Sequence, residues 1–63
     1  MNTNESRPTA AIWAEAFARR SLELEGGAHD LHFLIDEGYE LWPTRGQEDP
    51  RQVAEDEFKR SQG

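Results

Sequence analysis

TAAIWAEAFARRSLELEGG, from Thr9 to Gly27, sets the architecture of this 63-residue chain. It is rich in Ala, Leu, Glu and Arg, which lose little on entering a helix, and it closes on Gly26-Gly27, which stop one. Ser6 or Thr9 can supply the N-cap, and Pro8 suits a first helical turn, where its missing N–H is not needed. At about 100° per residue Ile12, Trp13, Ala16, Phe17 and Leu24 share one face. Glu15 precedes Arg19 by the four residues that favour an ion pair. The reading is one amphipathic helix whose aromatic face needs another element to cover it.

The next segment supplies that cover. Asp30 is placed to cap a second helix, and Leu31, Leu34, Ile35, Gly38, Leu41 and Trp42 form its apolar face. Pro43 constrains Trp42, so the helix is expected to end near Leu41. Gly38 costs about 1 kcal/mol relative to Ala inside a helix, which implies close approach by the first helix or by an indole. Trp13 and Trp42 are both expected in the core. After the turn-rich PTRGQE of residues 43–48, Asp49-Pro50-Arg51-Gln52 offers a cap, a first-turn proline and a glutamine at the third helical position. A third helix follows, roughly Pro50 to Arg60, with a narrow stripe of Val53, Ala54 and Phe58. Glu55 with Lys59, and Asp56 with Arg60, stand in the acid-first order for ion pairs along it. The expected fold is all-α, a small three-helix arrangement in which a helical hairpin carries a short third helix. Residues 1–7 read as a disordered arm, 8–60 as one domain and 61–63 as a tail.

Composition narrows the function. The chain has 7 Lys and Arg against 13 Asp and Glu, a net charge of −6. That balance opposes direct binding to nucleic acid or to an anionic membrane, both of which need clustered basic residues. There is no cysteine, hence no disulfide, thiol nucleophile or cysteine-ligated metal. No apolar run is long enough to span a bilayer, and no leader-like segment opens the chain, so a cytoplasmic location is expected. The apolar set is small even for this length, and a partner protein or a second copy forming a homodimer would add stability.

No motif announces catalysis. His29, His32 and Asp36 have a spacing that could converge on a metal, but Asp30 as a cap beside solvated imidazoles accounts for the same residues. Ser6, Ser21 and Ser61 have no nucleophile elbow and no base close in sequence. No cofactor, metal or enzymatic activity is expected. The conspicuous feature is charge: between Asp30 and Thr44 the charged side chains are Asp30, Asp36, Glu37 and Glu40, all negative. Helical projection groups Asp36, Glu37 and Glu40 around Phe33, opposite the Leu31, Leu34 and Ile35 face. An aromatic inside an acidic patch suggests a partner-binding surface, with Leu22 of the first helix near the same end of the hairpin.

Gly38-Tyr39-Glu40-Leu41-Trp42-Pro43-Thr44-Arg45-Gly46, continuing through Asp49 to Val53, resembles a short bacterial domain of unknown function. Its pattern is a small residue, Tyr-Glu-Leu-Trp, an Arg-Gly turn and an acidic helix. The likeness spans about residues 38–58 and implies a helix–turn–helix piece, with no catalytic residue to transfer. Pro43, Pro50 and Phe58 depart from the pattern. Small acidic phage inhibitors, anti-CRISPR proteins among them, are similar in size and charge. Two functional readings result. The first is a non-enzymatic module that binds a basic patch on a protein, as an adaptor, regulator or accessory subunit. The second is a phage-type inhibitor that mimics nucleic acid and occupies a basic groove of its target.

Overall fold

The computed structural model describes residues 9–62, which form three helices: α1 (Ala10–Leu24), α2 (Leu31–Arg45) and α3 (Pro50–Gln62). The expected N-terminal arm lies outside the described residues. α3 continues through Ser61 to Gln62, beyond the end expected near Arg60.

Local chemistry accounts for most boundaries. Thr9 caps α1, its side-chain oxygen accepting from the Ile12 N–H at 3.3 Å. Gly26 and Gly27 adopt φ of 67° and 80°, the left-handed region that L side chains avoid. Their N–H groups turn back to the carbonyls of Glu23 and Leu22, closing the helix end. Asp30 takes the cap position of α2, but its carboxylate accepts no capping bond. The Asp49 carboxylate does cap α3, accepting from the Arg51 N–H at 3.2 Å.

The end of α2 differs from expectation. The helix runs through Pro43 to Arg45 rather than stopping near Leu41. Pro43 deprives the Tyr39 carbonyl of its donor, yet Tyr39 is exposed and that carbonyl can be hydrated. The last turn is held by other bonds: Thr44 donates to the Leu41 carbonyl at 3.3 Å and the Gly46 N–H to Trp42 at 2.9 Å.

Packing makes α1 the central element. α2 runs antiparallel to it across the Gly-Gly turn, and α3 packs on another side of α1, while α2 and α3 touch each other little. Trp13, Phe17, Val53 and Ala54 form the buried cluster, with Leu24, Leu41 and Trp42 partly buried against it. The Trp13 ring stacks on Phe17, centroids 5.9 Å apart, and meets Trp42 edge-on at the same distance. Trp42 is half-buried, not fully enclosed as expected. Ile12 is a larger correction: it is 60% exposed. In its place small residues of α1, Ala14, Ala18 and Ser21, are buried and let the neighbouring helices approach closely.

Gly38 answers that line of small residues. A Cβ there would stand 2.8 Å from the Ala14 Cα and 2.9 Å from its Cβ, closer than carbon atoms pack. The ion pairs also differ from those expected along α3. Glu55 pairs with Arg20 of α1 at 3.0 Å, and Asp56 and Glu57 pair with Arg45 of α2 at 3.1 and 3.2 Å. Arg60 turns to Glu57, not Asp56. The carboxylates of α3 therefore fasten it to the other helices. Glu15 and Arg19 pair as read, at 2.8 Å.

Gly38→Ala tests the seam. The substitution gains about 1 kcal/mol of helix propensity, yet the collision with the α1 backbone should leave a net loss of roughly 1–3 kcal/mol. Urea unfolding reads the difference, and a variant more stable than wild type would contradict the contact.

Candidate functional site

Phe33, Asp36, Glu37 and Glu40 are all exposed on α2, with Phe33 at 50%. The pairing of charges sets this face apart. Among the described residues Asp36, Glu37, Glu40 and Asp49 pair with no cationic side chain, Glu25 and Asp30 meet only histidines, and every other Asp or Glu pairs with an arginine. Arg45 alone gathers Glu48, Asp56 and Glu57, and its guanidinium holds the Glu48 and Asp56 carboxyls below the usual carboxylate range. For Asp56 the bond from Gln52 contributes most, followed by Arg45. Three of the carboxylates without a cation, Asp36, Glu37 and Glu40, thus lie together on α2.

That side borders a groove. Because α2 and α3 both lean on α1, a cleft opens between them, floored by Phe17, Ser21, Leu34 and Ala54. Phe33 and Phe58 stand at its walls, and Glu25, Glu37 and Glu57 ring it. The groove is a composite of all three helices and the α1–α2 turn. Sequence reasoning identified Phe33 and Glu37, missed Glu25 and Glu57, and named His29 and Ser61 without placing them beside Phe33. His29 stands four residues from both Glu25 and Phe33, a spacing visible in the sequence, yet the Gly-Gly turn breaks the helical projection that would have joined them.

His29 bonds the Glu25 carboxylate through Nδ1 at 2.5 Å, and its ring stacks on Phe33 with centroids 5.4 Å apart. The pair closes the turn end of the groove and fixes the Phe33 ring. His32 lies elsewhere, highly exposed and 3.9 Å from Asp30. His29, His32 and Asp36 do not converge, and among the described residues no three His, Asp or Glu side chains gather as metal ligands would. Ser21 and Ser61 line the same groove as His29, but neither hydroxyl hydrogen-bonds an imidazole; Ser61 donates to the Phe58 carbonyl at 3.1 Å. Leu22 is half-buried and occupies a separate hollow with Arg19, Gly26, Gly27 and Leu31, so it does not extend the Phe33 surface.

Glu37 is the groove carboxylate whose pKa is pushed upward. Desolvation raises its pKa first, and the like charges of Glu25, Glu40 and Glu57 add to the rise, with His29 opposing them. A cation delivered to this position would meet Glu37 as the groove carboxylate without a partner, since Glu57 is held by Arg45 and Arg60 and Glu25 by His29. Among the described residues no helix is long and apolar enough to cross a membrane.

A raised folded-state pKa means that ionised Glu37 destabilises the fold. The penalty is fully present above the folded-state pKa and vanishes below the unfolded value near pH 4. Glu37→Gln should therefore raise the melting temperature slightly at pH 7 and leave it unchanged at pH 3. An equal gain at both pH values would show that the ionised carboxylate is not its source. In comparisons with protein-family models, curated proteins and solved structures, the chain matches none.

Proposed function

We propose that this protein is a non-enzymatic, acidic helical module that binds a protein partner through a basic patch, serving as an adaptor, regulator or accessory subunit. The observation that carries this reading is the union of a half-exposed Phe33 with the unpaired carboxylates Asp36, Glu37 and Glu40 on one helix face. Water solvates an isolated surface carboxylate well, so a concentration of them without cations chiefly supplies a long-range field that attracts positive charge. An aromatic at the centre of that field adds what charge lacks, a desolvated anchor that slows dissociation. Glu25 and His29 hold the Phe33 ring from one side, which lowers the entropy lost when a partner covers it.

The second reading is the phage-type inhibitor that imitates nucleic acid, and the unpaired carboxylates are what favour it. They run along α2 alone. The carboxylates of α3 at positions 55, 56 and 57 are neutralised by Arg20, Arg45 and Arg60. A duplex mimic needs free charge along an extended surface, so the binding module fits the charge distribution better.

Immobilised full-length chain, exposed to extract of its native cell, should retain a partner identifiable by mass spectrometry. Phe33→Ala should weaken that purified partner by about 2 kcal/mol, mainly through faster dissociation. Replacing both Glu37 and Glu40 by Gln should slow association and flatten its salt dependence. A nucleic-acid mimic would reverse the ranking, with charge removal dominant and Phe33→Ala nearly silent. Unchanged binding by every variant would remove this face from the account.

A further inference from the structure

We infer that the groove between α2 and α3 receives an amphipathic, basic helix of the partner, which lies as a fourth helix with a Lys or Arg at Glu37. The inference rests on the protein-binding reading above and specifies what part of the partner is bound and where. Three observations carry it.

The first is architectural. Two helices packed on a common third, and scarcely on each other, leave vacant the position that a fourth helix fills in a bundle. The walls are helices, so no sheet edge is offered to an extended strand. α3, at 13 residues, is about 20 Å long at ~1.5 Å per residue, enough to support a partner helix of comparable length.

The second is the order of polarity across the cleft. Phe17, Leu34 and Ala54 at the floor are already buried by the fold, so the apolar surface open to a partner is that of Phe33 and Phe58, beside the acidic rim. A helix with apolar side chains at i, i+3 or i+4 and i+7, flanked by basic ones, matches that order. A purely basic segment would leave the exposed parts of Phe33 and Phe58 uncovered, and a purely apolar one would leave Glu37 facing it without a cation.

The third is charge complementarity at the rim. Glu25 and Glu57 already hold His29, Arg45 and Arg60, whereas Glu37 faces them without a cation. The upward push on the Glu37 pKa by desolvation and by Glu25, Glu40 and Glu57 is relieved when a positive head group enters. The same charges oppose a second copy of this chain, which would bring its own carboxylates to the rim. They oppose nucleic acid more strongly still.

The test uses isotope-labelled full-length protein and three synthetic probes of about 14 residues, titrated by NMR. One is an amphipathic Leu/Lys helix, one the same helix with Glu for Lys, and one a scrambled Leu/Lys peptide that cannot form an apolar face. The Leu/Lys helix should bind most tightly, shifting Phe33, Glu37, Phe58 and Ser61 together. Glu37→Gln should weaken it at least fivefold, and Glu15→Gln, away from the groove, should not. Circular dichroism confirms that both variants keep the wild-type helix content.

Shifts confined to Asp36 and Glu40, with the scrambled peptide binding as well as the helix, would overturn the groove inference and leave the acidic-face reading standing. No binding by either basic probe would overturn the inference, while the acidic-face reading would still be judged by its own partner-capture experiment. Groove shifts that follow the concentration of the protein alone would assign the cleft to a second copy and overturn it also.

Discussion

The buried indole of Trp13 is the feature on which the other elements depend. The side chain is 1% exposed, and an indole N–H removed from water needs an acceptor. It finds one in the Glu48 carbonyl at 2.9 Å, in the connector between α2 and α3. Leaving that donor unpaired would cost about 1–3 kcal/mol, a large fraction of what so small a domain can hold. One bond thus joins the first helix to the chain that launches the third. It fixes where α3 begins, and Val53 and Ala54 then close over the Trp13 and Phe17 rings.

This pinning explains the shape of the surface as well as the core. Tied to α1 at its start by the connector and along its length by the Arg20–Glu55 pair, α3 cannot swing onto α2. Arg45 spans from the last turn of α2 to Asp56 and Glu57, fastening one end of the gap. The other end stays open between Phe33 and Phe58. The cleft and its acidic rim follow from the way a three-helix chain with few large apolar residues is held together, and partner binding would use surface that the fold leaves uncovered.

Sequence periodicity anticipated the three helices, the Gly-Gly stop, the Gly38 contact and the exposed Phe33 face, because each rests on local chemistry or on one helix's own projection. Ile12 was misread for an equally physical reason. Its hydrophobicity placed it on the apolar face, whereas close helix approach selected Ala14, Ala18 and Ser21, whose small size was a signal that hydrophobicity alone does not register. Pro43 was overweighted, since a proline in the last turn of a helix removes only a bond that solvent can replace. The partners of Glu55 and Asp56 lay on other helices, beyond any spacing rule. The groove depended on the same tertiary information, because Glu25, Glu37 and Glu57 come from three separate segments.

Hydrogen exchange at the Trp13 indole N–H, followed by NMR beside the backbone amides, tests the pinning of the connector most directly. The account predicts that this proton exchanges only through global unfolding, with the same opening free energy as the amides of Phe17 and Val53 in the core. Exchange at the rate of a free indole, while those amides remain protected, would show that the connector is not tied to α1 and would contradict the account.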